Sequence, residues 1–364
     1  MKHKHLIDLN DYTKATWDKI VGLASLIKKN PHVYKGACTG KIMATLFYEP
    51  STRTQMSFQS AMLRLGGGII GFDNPEMSSV AKGESLHDTI KTISGYSDIL
   101  VMRHYIEGAA KAAAYASDCP IINAGDGGHL HPTQTLTDLL TLTEEKQLND
   151  NSALTVGICG DLLYGRTAHS LVRALSQYSG IRFVFISSEQ LQMPAYIKEI
   201  CSSYSEHDNL EAIIPELDVL YMTRIQRERF GEDEQGVAEY NKQKRIFTLD
   251  MPKLECAKSD LIIMHPLPRV DEIAAEVDAD PRAAYFKQAN YGMYVRMALI
   301  LSILNGEIVT NANIMGTVSD VECSNLMCVT NYEPALPKRY NNGKCHYCES
   351  SLPSSDGRGA VITS

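Results

Sequence analysis

Several functional classes are excluded by what this sequence lacks. It has a single tryptophan, aromatic residues make up only 7% of its 364 positions, and its 35 Lys and Arg are outnumbered by 43 Asp and Glu, a formal charge of −8. Without a basic excess, a dedicated surface for nucleic acid or acidic membrane is not expected. Any site for anions must concentrate its cations locally. The strongest apolar run, 297–304, falls far short of the roughly 20 residues that cross a bilayer. The opening MKHKHLIDLNDY turns acidic by Asp8 and lacks the apolar centre of a secretory signal. A cytoplasmic chain is expected. With 25 Gly and 14 Pro, and 44% apolar residues, the composition is that of an ordinary globular protein.

At about 150 residues per domain, two or three domains are expected. Short apolar runs at 42–47, 120–123, 154–159, 181–186, 218–222 and 261–264 read as buried strands. Between them, Phe58, Ala61, Met62 and Leu65, and again Ala168, Leu171, Val172 and Leu175, form helical stripes. Such alternation builds parallel sheets covered by helices. It runs twice, before and after a helical stretch at 133–145. This predicts two doubly wound α/β domains hinged there, with a ligand cleft between them. A closing helix is expected over 291–304, then a linker, then a polar tail from 321 too poor in apolar residues for a core of its own.

The segment Phe47-Tyr48-Glu49-Pro50-Ser51-Thr52-Arg53-Thr54 carries the first chemistry. A strand end, a proline and a hydroxyl-rich turn open a helix, so free N–H groups, three hydroxyls and a guanidinium gather where a phosphate is readily held. Ser51 or Thr52 acting only as an N-cap accounts for the hydroxyls. It leaves Arg53 unexplained, because a cation at the positive end of the helix dipole is unfavourable unless an anion joins it. Met102-Arg103-His104, His131-Pro132-Thr133-Gln134, Gly165-Arg166-Thr167, Thr223-Arg224-Ile225-Gln226 and His265-Pro266-Leu267-Pro268-Arg269 also fall at strand ends. There open α/β sheets bind ligands, and arginine suits carboxylates and phosphates.

Taken in order and spacing, these six motifs resemble the series found in aspartate carbamoyltransferase catalytic chains, over about residues 5 to 308. The HPLP form with Arg224 and Gln226 resembles the aspartate enzymes, where ornithine enzymes read HCLP. The resemblance implies carbamoyl transfer from carbamoyl phosphate to L-aspartate, with no organic cofactor. It implies that Ser51, Thr52, Arg53 and Thr54 cradle the phosphate, that Arg103, His131 and Gln134 hold the carbamoyl group, and that Thr54, Arg103 and His131 face the developing oxyanion. Arg166, Arg224 and Gln226 would clamp aspartate, and the Leu267 and Pro268 backbone would line the site.

By the same resemblance, residues 1–132 with the helix 291–306 form a carbamoyl-phosphate domain and 133–290 an aspartate domain. Ser78 and Lys82 lie in a polar stretch that composition alone reads as a surface loop. In the resembled family that loop enters a neighbouring subunit's site, implying a homotrimer with shared sites. Glu49, Arg166 and Arg229 resemble the family's closure contacts, while the stretch 230–240 looks longer than its usual loop.

The nine cysteines divide unevenly. Cys38, Cys119, Cys159, Cys201 and Cys256 are scattered, whereas Cys323, Cys328, Cys345 and Cys348 crowd the tail. An odd total without a secretion signal counts against a disulfide framework. Two knuckles, C-x4-C and C-x2-C, instead predict a structural, tetrahedral Zn²⁺. After a linker at 307–320, residues 321–364 resemble the zinc domain of the regulatory chain, fused without the nucleotide-binding part that normally precedes it. Insensitivity to ATP and CTP is therefore expected, and the tail is expected to pack on a catalytic chain, with bridging into a larger homo-oligomer open to it. Another transcarbamoylase and a non-catalytic zinc-bearing scaffold are the competing readings. Arg224 and Gln226 speak against ornithine, and the intact cationic set speaks against a scaffold.

Overall fold

The computed structural model describes residues 5–77, 79–225, 233, 236–237, 240–241, 246–307 and 316–351. Two compact units emerge, Met1–Thr133 with Arg296–Ser364, and Gln134–Val295. Ser78, Gln226, Arg229 and most of 230–240 lie outside the described residues.

Unit 1 holds a parallel sheet of β1 (Ile42–Phe47), β2 (Gly68–Phe72), β3 (Ile99–His104) and β4 (Ile121–Asp126), ordered β2-β1-β3-β4. β3 and β4 are buried throughout and β1 from its second residue onward, as runs sandwiched between helices should be. Its longer helices are α1 (Lys14–Lys29), α2 (Thr52–Arg64), α3 (Leu86–Ser94) and α4 (Ala109–Ala116). The stripe read from sequence in α2 is realised: Phe58, Ala61 and Met62, with Leu65 at the helix end, are fully buried. Two helices span the division between the units, α5 (Pro132–Lys146) and the last long one, Tyr285–Leu304, which begins six residues before the sequence pattern suggested.

Unit 2 carries a second parallel sheet, β5 (Leu154–Cys159), β6 (Ile181–Ile186), β7 (Tyr204–His207), β8 (Val219–Met222) and β9 (Ile262–Met264), ordered β7-β6-β5-β8-β9. Helix α6 (Arg166–Leu175) follows β5 and buries Ala168, Leu171, Val172 and Leu175. The sequence motifs all come just after, or at, the carboxyl ends of strands in these two sheets, where backbone N–H groups are free for ligands.

The tail folds as a three-stranded antiparallel sheet, β10 (Thr317–Val318), β11 (Arg339–Asn341) and β12 (Lys344–Cys345). Having no sizeable core, it shares one: Cys323, Cys328, Val329, Tyr340, Cys345, Tyr347 and Cys348 join the apolar cluster of unit 1. The alanine-rich α4 offers a low surface for this. At its N-cap, Gly108 has φ +80°, and a Cβ there would fall 2.6 Å from that of Tyr347, so the close approach requires glycine. Glu107 exchanges backbone hydrogen bonds with the knuckle, its N–H to Met327 O (3.0 Å) and its O from Val329 N–H (2.9 Å). The tail thus packs on unit 1 of its own chain.

Candidate active site and four-cysteine centre

In unit 1 the N-cap Ser51 makes no side-chain bond to the α2 backbone; its hydroxyl donates instead to Thr54 Oγ1 at 3.0 Å. Thr52 and Arg53 are exposed and Thr54 is buried. The first-turn N–H groups therefore remain open, which is the requirement for an anion site at a helix end. Arg103, the penultimate residue of β3, is only 9% exposed. Its Nη1 donates to Ala124 O at 3.3 Å, its Nη2 stands 3.1 Å from Glu49 Oε2, and its buried Nε is unpartnered. Glu49 thus has a partner within unit 1 that the sequence reading did not name. Partial burial first, and the like charge of Arg103 second, hold the Arg53 guanidinium below its usual range. A dianion between two such cations would relieve that repulsion.

His131 is half-buried, its Nδ1 3.4 Å from Thr133 Oγ1. A Cβ on Gly125 (φ +126°) would fall 2.8 Å from Arg103 Nη1 and 3.6 Å from His131 Cδ2. The bare glycine is what lets these two side chains approach one spot. His104, by contrast, packs 4.4 Å from the Tyr48 ring and accepts from Ile106 N–H, and burial lowers its pKa to about 4. It is a neutral packing group. Lys82 ends a short 3₁₀ turn and is exposed.

Asp126, buried at the end of β4, ties the surrounding loops: it accepts from Gly108 N–H and Leu130 N–H, both at 3.0 Å. Sequence reasoning missed it, and also Arg296, a cation within the apolar second half of the last long helix. Arg296 lies over the Phe58 ring at 5.0 Å, and burial lowers its pKa to about 10.

In unit 2, Arg166 opens α6 half-buried, Arg224 follows β8 exposed, and Leu267 and Pro268 follow β9, joined by a cis peptide bond. Leu267 N–H donates to His265 Nδ1 (2.7 Å), which leaves the ring's Nε2–H to donate to Glu272 Oε1 (2.7 Å). Burial pushes the Glu272 carboxyl up, but His265 and the Val270 and Asp271 N–H groups outweigh it and bring the pKa to about 2. Gln134 is half-buried, with its Nε2 donating to the wholly buried Asp138 at 2.7 Å. Asp138 and Glu272 were not singled out from sequence. The i,i+4 spacing of Gln134 and Asp138 was a usable signal.

The four tail cysteines are all buried, with their Sγ atoms within 4.8 Å of one another and the pairs Cys323–Cys348 and Cys328–Cys345 at 3.5 and 3.6 Å. Four thiolates arranged tetrahedrally 2.3 Å from one ion stand about 3.8 Å apart, so the cluster can hold a metal ion. Thr330 Oγ1 donates to Cys328 Sγ at 3.2 Å, a hydrogen bond of the kind that orients a metal-bound thiolate. Among the described residues, no helix is long and apolar enough to cross a membrane.

Residues 4–144 match the family described as aspartate/ornithine carbamoyltransferase, carbamoyl-P binding domain, and 152–303 its Asp/Orn binding domain. Both matches end before the first tail cysteine. The aspartate carbamoyltransferase catalytic subunit of Clostridium perfringens is 56% identical over 310 residues, 84% of this chain and 99% of that one. That of Lachnoclostridium phytofermentans is 54% identical over 307 residues, 83% of this chain and 98% of that one. Among solved structures, the catalytic subunit of M. jannaschii aspartate transcarbamoylase has a TM-score of 0.77 at 45% identity, covering 83% of this chain and 98% of that one. The Trypanosoma cruzi aspartate transcarbamoylase in complex with N-(phosphonacetyl)-L-aspartic acid has a TM-score of 0.76 at 38% identity, covering 83% and 96%. The open helix end, the buried arginine at a strand terminus and these likenesses agree, and the chain belongs to the aspartate/ornithine carbamoyltransferase family, on the side of the aspartate carbamoyltransferase catalytic subunits.

Proposed function

We propose that this chain catalyses transfer of the carbamoyl group of carbamoyl phosphate to the α-amine of L-aspartate, giving N-carbamoyl-L-aspartate and phosphate, an early step of pyrimidine synthesis. The observation that carries the reading is the open N-terminus of α2, where partial burial first and the like charge of Arg103 second hold the Arg53 guanidinium below its usual range. Ser51, Thr52, Arg53 and Thr54, with Ser78 and Lys82, take the phosphate. Thr54, Arg103 and His131 face the carbonyl oxygen, while Arg166, Arg224 and Gln226 take the two carboxylates of aspartate. The amine lone pair forms the new C–N bond and the carbonyl electrons move onto oxygen. Collapse of this tetrahedral intermediate expels phosphate with the C–O pair, and the amine proton leaves with it. Orientation and preorganised positive charge supply the acceleration. A colorimetric assay for N-carbamoyl-L-aspartate tests this. Turnover with aspartate and none with ornithine is expected; preference for ornithine, or turnover of neither, overturns it.

A homotrimer with shared sites accompanies this reading. Its support is the exposed edge strand β2 together with Met56, Leu63 and Ile70, which are 63%, 57% and 41% exposed on α2 and β2. Lys82, exposed in its own chain, would then serve a neighbour. Mixing inactive Arg53→Ala and Lys82→Ala chains should restore activity; mixtures that stay inactive contradict sharing. In the tail, Cys323, Cys328, Cys345 and Cys348 would hold Zn²⁺, the ion that four thiolates in a reducing cytoplasm favour. Bound there, zinc supplies a cross-link and no chemistry of the transfer.

A further inference from the structure

We propose that Asp138 is a positioning residue that fixes the orientation of the Gln134 amide, and so makes the site selective for an acyl phosphate bearing an N–H donor. The proposal rests on the functional reading above and deepens it. Asp138 lies one helical turn beyond Gln134 on α5 and has no exposed surface. Its Oδ1 accepts two amide N–H groups, from Gln134 Nε2 and Gln288 Nε2, both at 2.7 Å. Its Oδ2 is 3.0 Å from the Tyr221 hydroxyl. Gln288 is oriented in turn, because its Oε1 accepts from His265 N–H at 2.9 Å. A carboxylate can only accept, so it admits one orientation of each amide.

Protonation does not reverse this. Burial raises the Asp138 pKa to about 7, so part of the population carries a proton near neutrality. The oxygen facing the Tyr221 hydroxyl can carry it, with that hydroxyl accepting, while Oδ1 still accepts from both amides. In either state Gln134 keeps its nitrogen turned inward and presents its oxygen, on a half-buried side chain, to whatever binds. An outward carbonyl oxygen pairs with the NH₂ of a carbamoyl group. Against the methyl of an acetyl group it would be desolvated without a partner, a situation that strongly disfavours the analogue. Without Asp138 the amide could turn over, and the discrimination would fade.

The test compares carbamoyl phosphate with acetyl phosphate as competitors for inorganic phosphate on the full chain. In Asp138→Ala the preference for carbamoyl over acetyl phosphate should fall about tenfold or more, with affinity for inorganic phosphate unchanged. Gln134→Ala should show the same loss, the double variant no further loss, and Asp138→Asn, which keeps an acceptor oxygen, most of the preference. A merely structural carboxylate would lower the melting temperature and leave the ratio alone. An unchanged ratio in folded Asp138→Ala, or losses that add in the double variant, would overturn the proposal. Should the alanine variant not fold, the wild type serves: the Gln134 side-chain amide protons are expected to be protected from exchange, and rapid exchange refutes the assignment. Gln134→Ala that leaves the preference intact would instead sink the functional reading on which the proposal stands.

Discussion

In unit 1 the segments that carry the proposed anion-binding residues are braced by the tail as well as by the buried Asp126; in unit 2 the corresponding segments are braced by the buried carboxylates Asp138 and Glu272. The loop after Arg103 is bridged to the knuckle at Glu107, whose carboxylate also accepts from Asn325 Nδ2 at 2.7 Å. Helix α3, which follows the Lys82 turn, has its Leu86 N–H capped by Glu333 at 2.8 Å. The segment before His131 meets the tail through His129 and Glu349, 3.7 Å apart. In unit 2, Asp138 gathers Gln134, Gln288 and Tyr221, and Glu272 holds His265 and the turn after Pro268. The difference teaches that preorganisation can be supplied by a docked appendage built around four cysteines or by hydrogen bonds to a buried acid, and each should fail under its own stress.

The largest expected effect breaks the outer brace. Chelating an ion held by the four cysteines, or destroying the cluster by Cys328→Ser with Cys345→Ser, should unfold the tail, since a structural metal bound there would contribute on the order of 10 kcal/mol to so small a module. Proteolysis within 316–351, a lower melting temperature for unit 1 and weaker binding of inorganic phosphate are the expected readouts. Unchanged phosphate affinity with an unfolded tail would show that the brace is idle. Next comes the group that the brace serves. Arg103→Ala should lower kcat by roughly 10²–10³-fold, about 3 kcal/mol, the usual cost of losing an oxyanion donor, with the fold intact by circular dichroism. Near-normal kcat would remove Arg103 from the chemistry.

A smaller effect sharpens the inner brace. The Glu272 carboxyl titrates near 2 in the fold against 4.5 unperturbed. Its contribution is fully present above about pH 4.5 and is lost as pH falls through 2. Glu272→Gln should therefore destabilise the protein by about 1–3 kcal/mol at pH 7, with the gap to wild type narrowing on acidification. A gap independent of pH would mean that the charge of Glu272 is irrelevant.

Most strands rich in branched aliphatic residues were legible in the sequence: 42–47, 154–159 and 181–186 coincide with β1, β5 and β6, while β3 was read only through Met102-Arg103-His104 at its end. β2 was not, because Gly68 and Gly71 break its apolar run and it lies exposed at an edge. Nor was β7, whose Tyr-Ser-Glu-His is polar. The phosphate turn and the four-cysteine set were legible because their chemistry is local. Gln288 and Tyr221 were not, since they reach Asp138 from positions far along the chain; Glu272, only seven residues from His265, was not because the turn that brings it back to the ring carries no periodic pattern. The docking of the tail on α4 depends on a surface that only the folded unit creates.

In the proposed reaction, cations dispersed along the chain converge on two anionic ligands. A crystal structure with the bisubstrate compound N-(phosphonacetyl)-L-aspartate bound is the most direct measurement. The prediction is Arg53 on the phosphonate, Arg103 and His131 on the carbonyl oxygen, and Arg166 with Arg224 on the two carboxylates. A compound bound elsewhere, or held without Arg103 and Arg224, would contradict it.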